Sequence, residues 1–338
     1  MNTIKMNTIK RLLKKRETIL ALIILVLVAI ISPRAPSFLS YDNITNILKA
    51  HTVLGIFSIG VLLVIISGGI DVSFTAIAQV VQYAVVYVLI NYMTGNIVIA
   101  MIMAIILGTA MGFLNGFLIY HYKMPAIIIT IATQSLFYGL MYVLTHGRFL
   151  YEVPPYFWEL SNAKVFSAGN GSIGLSVVTL IWFFMAVLFA FILKFTVVGR
   201  SVYLIGCNPA AAERVGVNIL KTTLFVYGVT GSIAAIASIV HVSIVQTVIP
   251  SSIVGQEMQV IAAVVLGGAS ITGGRGSVLG TFLGVLLFSM LSNALTLLKI
   301  PSYWYNVFIG GIIIVSVIIN AVQEFRQRKN IVRVNVAD

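Results

Sequence analysis

The sequence has few charged residues for its length, and this shortage decides the class of protein. Of its 338 residues, 9% are Asp, Glu, Lys or Arg, whereas 59% are hydrophobic and the mean hydropathy is +1.06. A soluble domain carries roughly 25% charged residues because its surface must face water. The chain is therefore too apolar for a water-soluble globule, and most of its surface must face lipid.

Three further absences exclude other classes of protein. A single cysteine, Cys207, cannot form a disulfide within the chain. The pattern GxxxxGK[ST] does not occur, so the chain has no P-loop for ATP. The four histidines lack the spacing of metal ligands, and the sequence has no cluster of His, Asp, Glu or Cys of the kind that an integral-membrane enzyme needs. We therefore expect neither catalysis nor a bound cofactor in this chain.

Long apolar runs make up most of the chain. They lack the alternation of a membrane β-barrel and suit spanning helices, which need about 20 residues each. The runs lie at residues 18–32, 44–67, 72–93, 96–120, 124–145, 174–193, 222–245, 258–272, 277–298 and 302–322. The sequence thus predicts an all-α integral membrane protein, residues 1–338 forming one transmembrane domain of about ten helices.

The basic residues predict the orientation of these helices. The net charge is +12, and Lys and Arg concentrate in alternate loops, as the positive-inside rule requires of cytoplasmic segments. With an even number of helices, the basic ends 1–17 and 323–338 and the loop 194–221 are cytoplasmic. The basic residues that remain outside are Arg34, Lys49, Arg148, Lys164 and Lys299. The charge therefore indicates orientation in the membrane and not binding to nucleic acid.

A glycine-rich break interrupts the apolar runs at SGGIDVS, residues 67–73. It places Gly68, Gly69, Asp71 and Ser73 between two predicted helices, with Ser73 as a candidate N-cap of the second. A carboxylate at membrane depth costs several kcal/mol unless it is paired, hydrated or facing a cavity. Two interpretations stay open: a break that lines a translocation path, or a cytoplasmic turn with Asp71 as a solvated cap.

A second break, VVLGGASITGGRGS, covers residues 264–277. It contains Gly267 and Gly268, followed by Gly273 and Gly274. Small residues let helices approach closely, so helix packing is the favoured role, with a place on the substrate path as the alternative. Glu257, at the start of the preceding run, is expected to face water.

The cytoplasmic loop 194–221 contains a short predicted helix. Asn208 is a suitable N-cap, Pro209 a suitable first residue, and Gly216 a suitable end, with strong helix formers between them. We interpret this helix as a docking segment for another protein, in preference to a helix that lies on the membrane surface.

Together these motifs resemble the permease subunits of bacterial ABC importers for simple sugars, the branch that includes ribose, xylose, rhamnose and furanosyl-autoinducer permeases. The similarity lies in FLSYDNITNIL at 38–48, SGGIDVS at 67–73, FLNGFLIYHYKMPAIIITIAT at 113–133, GRSVYLIGCNPAAAERVGVN at 199–218 and QEMQVIAAVVLGGASITGGRGSVLGTFLG at 256–284. The chain departs from the family pattern at Phe74 and Thr75, where Val-Gly is usual, and at Cys207, where glycine is common.

The resemblance implies a multi-pass permease of the bacterial inner membrane that performs no chemistry on its substrate. Two permeases, identical or paralogous, would pair in the membrane, two ATPase subunits would bind ATP below them, and a periplasmic or lipid-anchored sugar-binding protein would deliver the solute. The residues expected along the substrate path are Gly68, Gly69, Asp71, Ser73, Gly267, Gly268, Gly273 and Gly274. The residues expected to couple to the ATPase are Gly206, Asn208, Pro209, Ala211, Ala212, Glu213, Arg214 and Gly216.

An ion-coupled transporter or channel that works without an ATPase remains the alternative. It would need an intramembrane acid for a proton or sodium ion, and Asp71 is its candidate.

Overall fold

The computed structural model describes residues 16–93, 95–168 and 173–301, and single helical positions between 303 and 318. Helices form most of this structure. They are α1 Arg16–Ile31, α2 Tyr41–Ala50, α3 Thr52–Ile66, α4 Phe74–Asn91, α5 Ile97–Tyr122, α6 Ala126–Thr145, α7 Pro155–Asn162, α8 Val177–Phe195, α9 Val197–Cys207, α10 Pro209–Arg214, α11 Ile219–Val245, α12 Glu257–Leu266 and α13 Val278–Leu297, with a 3-10 turn at Pro36–Leu39.

Six helices of the described residues are long and apolar enough to cross a membrane: α4, α5, α6, α8, α11 and α13. The pair α2 and α3, bent by 50° at His51, passes the same test as one broken span. The sequence predicted about ten. The run 18–32 forms α1, which has 16 residues, and the run 258–272 forms only α12, which has 10. The run 302–322 lies mostly outside the described residues.

A small β-hairpin departs from the all-α prediction. Strands β1 Lys164–Ala168 and β2 Ile173–Ser176 pair antiparallel, with Val165 opposite Leu175. Strands of five and four residues are too short to show a reliable alternation in the sequence, so the pattern did not predict them. The hairpin follows α7 and packs beside α2.

Helix α11 lies at the centre of the bundle and packs mainly against α5, α3 and α4. Its backbone touches that of α5 because glycines line the contact. A Cβ atom on Gly112 would lie 2.2 Å from the carbonyl oxygen of Tyr227, and one on Gly108 would lie 2.4 Å from that of Gly231. Small residues allow this approach, which replaces side-chain packing by direct backbone contact.

Helix α3 forms the inner core, since every one of its residues is buried. It is apolar on all sides, as a helix surrounded by protein must be. Helices α5 and α6, in contrast, bury only about a fifth of their most apolar stretch within the chain (22% in each). Their outward faces are apolar and suit contact with lipid or with a second membrane subunit.

Candidate functional site

The two glycine-rich breaks and the end of α9 meet at one point in the structure. The amide of Gly274 donates a hydrogen bond of 2.8 Å to the carbonyl oxygen of Ile66. A Cβ atom on Gly206 would lie 1.8 Å from that same oxygen, and one on Gly273 would lie 2.8 Å from Cα of Gly68. Side chains are therefore excluded sterically at this place. We call these five residues, from three distant parts of the sequence, the glycine junction.

Both breaks begin with the same helix end. After α3, the amide of Gly68 donates to Ile65 O and that of Gly69 to Val64 O. After α12, the amide of Gly268 donates to Val265 O and that of Ala269 to Val264 O. These paired bonds are the Schellman motif, which needs a left-handed residue. The two glycines that supply it, Gly68 and Gly268, have φ values of 86° and 96°.

Asp71 lies inside the bundle and not in a solvated turn, because only 2% of its surface is exposed. Its Oδ1 accepts hydrogen bonds from the amide of Ser73 at 2.7 Å and from the Ser73 hydroxyl at 2.6 Å. The Asn115 side-chain amide donates to that hydroxyl at 2.7 Å. Ser73 is the N-cap residue of α4, as expected, but its side chain makes no capping bond and donates to Asp71 instead. Burial excludes the solvated cap, and the interpretation as a break that lines a translocation path stays a prediction.

Asn115 was not singled out in the sequence, although an amide in the middle of the apolar helix α5 is a usable signal. Among the described residues, its buried Oδ1 has no hydrogen-bond partner. Close by, a cavity of about 250 Å³ lies beside the first break, lined by Gly68, Gly69 and Tyr227, among others. This cavity adjoins the residues that precede Asp71, whereas Asp71, Ser73 and Asn115 are not among the residues that line it.

Glu257 is buried, with 6% of its surface exposed, so the expectation that it faces water is wrong. Its Oε1 accepts hydrogen bonds from Thr75 Oγ1, from Gln134 Nε2 at 2.7 Å and from the amide of Gly255 at 3.0 Å. The carboxylate therefore ties α12 to α4 and α6. The position of Glu257 at the edge of an apolar run did not indicate that it is buried, because Thr75 and Gln134 lie on other helices.

Two buried glutamines continue this polar contact along α4. Gln79 donates to Ile249 O at 2.9 Å and accepts from the amide of Ile253 at 3.0 Å. Gln82 Oε1 lies 3.1 Å from Nδ1 of His241 on α11. Their spacing from Thr75 places all three polar side chains on one face of the helix. This spacing in an apolar run is the signal that the sequence interpretation missed.

The short helix predicted in the loop 194–221 is confirmed as α10. Asn208 accepts a hydrogen bond from the amide of Ala211 at 3.1 Å, and Gly216, with φ of 87°, follows the end. Ala212 is buried and anchors the helix, whereas Glu213 and the neighbouring residues are exposed. Six of the residues expected to couple to the ATPase are exposed: Asn208, Pro209, Ala211, Glu213, Arg214 and Gly216. Gly206 differs from these because it lies at the glycine junction.

Five of the eight predicted path residues fall into two groups. Gly68, Gly273 and Gly274 belong to the glycine junction, while Asp71 and Ser73 form the polar group at the start of α4. Gly267 packs against α13, where a Cβ atom on it would lie 2.6 Å from the carbonyl oxygen of Gly280. Close helix packing, the role favoured for the second break, therefore describes Gly267 well.

Comparison with known proteins gives the family. The family described as "Branched-chain amino acid transport system / permease component" matches residues 43–317. The ribose import permease of Haemophilus influenzae is 35% identical over 92% of this chain and 94% of its own length. The autoinducer 2 import system permease of an Enterobacter species is 32% identical, with 92% and 88% covered. The ribose import permease of Bacillus subtilis is 35% identical, with 87% and 89% covered.

No solved structure matches the chain. The match to the family nevertheless spans far more than half of the sequence, and it includes both glycine-rich breaks, α10 and the six described helices that are each long and apolar enough to cross a membrane. The chain belongs to this permease family and is a multi-pass protein of the bacterial inner membrane.

Proposed function

We propose that the chain is the permease subunit of an ABC importer that moves a simple sugar or sugar-like solute across the inner membrane. The observation that carries this proposal is the similarity, over 92% of the chain, to permeases that import ribose and autoinducer 2. It favours an ATP-driven importer over an ion-coupled transporter or channel. Because the chain has no P-loop, ATP binding and hydrolysis belong to separate ATPase subunits.

We further propose about ten membrane segments with both termini in the cytoplasm. In this topology the helices α1 and α12 and the run 302–322 supplement the seven spans that pass on length and composition. The distribution of Lys and Arg supports this orientation, because it places α10 and the basic ends on the cytoplasmic side. Two such subunits pair in the membrane, and a sugar-binding protein delivers the solute from outside.

The coupling step that we propose starts at α10. Its exposed residues, with Glu213 at the centre, dock on the ATPase, so closure of the ATPases on ATP displaces this helix. Only Asn208 separates α10 from α9, whose end lies in the glycine junction. Since Gly206 lies against Ile66 O and Gly274 N there, a movement of α9 displaces both helix breaks at once. That connection supports alternating access driven from the cytoplasmic side.

The proposed solute path passes the polar group formed by Asp71, Ser73 and Asn115. Hydroxyl and amide groups suit a hydroxyl-rich solute, and the cavity beside Gly68 and Gly69, shortly before Asp71 in the chain, offers space for it. Transport needs weak binding at such a point, because a tightly held solute leaves slowly. High affinity then rests on the delivery protein.

The test is uptake by the assembled importer, reconstituted in vesicles with its ATPase subunits and its sugar-binding protein. We expect ATP-dependent uptake of a pentose such as D-ribose, and no ATP hydrolysis by the purified permease alone. Glu213→Ala or Gly216→Pro should uncouple ATP hydrolysis from uptake, whereas Glu152→Ala, an exposed acid in a different loop, should not. Hydrolysis by the permease alone, or unchanged coupling in both α10 variants, would contradict the proposal.

A further inference from the structure

A cleft between α4 and α6 lies at the end of the molecule opposite to the glycine junction. It has a volume of about 600 Å³. Tyr83 and Tyr87 line it on α4, and Phe137 and Met141 line it on α6. Tyr83 comes ten residues after Ser73, which places it about 15 Å further along α4 at 1.5 Å per residue. We call this space the tyrosine cleft.

The two tyrosines of the cleft stack on each other. Their ring centroids are 6.3 Å apart and their planes differ by 18°, so the rings are stacked nearly parallel. Tyr83 is largely buried, whereas 41% of Tyr87 is exposed. Stacking on Tyr83 holds the partly exposed ring of Tyr87 in a fixed orientation, and sugars place their C–H faces against aromatic rings.

Polar groups gather at one end of the tyrosine cleft. Thr145, His146 and Arg148 line it where α6 ends. This end is held in place, because the amide of Arg148 donates to Thr145 O at 3.1 Å and Leu150 pairs through two backbone hydrogen bonds with Val248. The cleft therefore combines aromatic residues with a few polar groups on an anchored loop, which is the usual composition of a small-molecule site.

We infer that the tyrosine cleft is an entry site for a neutral monosaccharide-sized solute, with Tyr87 as its stacking platform and Thr145, His146 and Arg148 as hydrogen-bond partners for hydroxyl groups. The inference rests on the proposed function and adds a site to it. Stacking on one ring, with hydrogen bonds at one end of the cleft only, holds a sugar weakly, as passage requires. From this site the solute moves along α4 toward Asp71 and Ser73.

An acyl chain is the competing occupant, since most of the lining is apolar. Two observations favour the sugar. The stacked tyrosine rings are held in a fixed orientation, which a flexible chain does not need. The polar residues of the cleft precede Leu150, which pairs with Val248. The next residue, Ile249, accepts a hydrogen bond from the buried Gln79. The polar end of the cleft therefore adjoins the polar interior of the bundle.

The lone cysteine makes a direct test possible. In a Cys207→Ser background whose ribose uptake matches that of the natural chain, Tyr87→Cys places one thiol in the tyrosine cleft of the full importer. A membrane-impermeant, water-soluble thiol reagent added from the outer side should label it, and D-ribose in excess should slow the labelling. Tyr142→Cys is the matched control, because Tyr142 is 37% exposed on α6 but does not line the cleft. Ribose should leave its labelling unchanged.

If Tyr87→Cys does not accumulate in the membrane, Ala84→Cys tests the same cleft. Failure of the reagent to reach either thiol would mean that lipid or the second permease fills the cleft, and the inference would be overturned. Labelling that ribose does not slow, in an importer that takes up ribose, overturns it as well and leaves the proposed function intact. If ribose slows the labelling of an importer that does not take up ribose, the result supports the site and contradicts the proposed transport function.

Uptake by ring variants gives an independent measure. With saturating loaded binding protein, Tyr87→Leu should slow uptake about two- to tenfold, the factor expected for one lost aromatic contact. Tyr87→Phe should retain most of the rate, because it keeps the ring. Equal uptake rates for Tyr87→Leu and the natural chain would show that Tyr87 does not contact the solute during transport.

Discussion

The amide of Gly274 bonds to the carbonyl oxygen of Ile66 at 2.8 Å, and so joins two helix breaks that come from distant parts of the sequence. Gly206 fits against the same oxygen from a third segment, with no room for a side chain. Close backbone contacts of this kind resist separate movement of the segments, because interiors are packed as densely as crystals. The loop helix α10 and both breaks are therefore mechanically connected.

Substitution of Gly206 tests this connection. In Gly206→Ala the added methyl would lie 1.8 Å from Ile66 O, so the backbones must separate. We expect the free energy of unfolding to fall by about 1–3 kcal/mol, the usual cost of overpacking. We also expect less solute taken up per ATP hydrolysed, measured on the reconstituted importer. Ser201→Ala on the same helix is the control, and equal behaviour of the two variants would mean that the junction transmits nothing.

Replacement of Asp71 separates a transport role from a local one. In Asp71→Asn the new side chain is close in size to the carboxylate and can still accept the two hydrogen bonds from Ser73, so this variant should insert normally in the membrane. Hydrogen bonds to a neutral amide are weaker than those to a charge, and we expect uptake to fall about tenfold, equivalent to about 1.4 kcal/mol. The measurement is initial uptake at equal protein level, with Asp42→Asn on the exposed start of α2 as the control. Normal uptake by Asp71→Asn would mean that Asp71 acts only in capping and not in transport.

Removal of the Glu257 carboxylate should destabilise the bundle. Glu257→Ala leaves Gln134 and the amide of Gly255 without their acceptor, whereas Thr75 keeps its bond to Val72 O, and we expect a loss of about 2–4 kcal/mol from the two unsatisfied donors. Thermal unfolding of the purified permease in detergent measures this loss. Glu152→Ala, at an exposed acid, should change stability little. A loss no larger than that of the control would show that the buried carboxylate is dispensable.

Contact between α5 and α11 depends on glycine. Gly112→Ala would place a methyl 2.2 Å from the carbonyl oxygen of Tyr227, so the helices must move apart at a cost of about 1–3 kcal/mol. Gly139→Ala is the matched control, because nothing lies within 4 Å of a Cβ atom on that glycine of α6. We expect Gly112→Ala to unfold at a lower temperature than Gly139→Ala. The opposite order would exclude close backbone packing at Gly112.

Local chemistry made α10 predictable from the sequence. A capping asparagine, a proline at the first position and a glycine after the end act within a few residues, and the structure has the helix where they predict it. The apolar runs likewise predicted α4, α5, α6, α8, α11 and α13, because length and composition decide whether a helix suits lipid. The length of α12 was overestimated, since the glycines that end it also lie in an apolar run.

Contacts between helices could not be predicted in this way. Glu257 was expected in water because its partners, Thr75 and Gln134, lie on helices far away in the sequence. The tyrosine cleft was equally hidden, since aromatic residues are frequent along the runs and only the packing of α4 on α6 shows which of them line an open space.

By itself, the sequence determined that this protein lies in a membrane. It also determined at which positions glycines interrupt the helices and which loop contains a short helix. These properties follow from composition and from backbone preferences that act over a few residues. Only the tertiary structure decided that Gly68, Gly206 and Gly274 meet, that Asp71 and Glu257 are buried, and that Tyr83 and Tyr87 face an open cleft. The physical reason is that these relations depend on how helices pack across long stretches of chain, and packing is a property of the whole bundle.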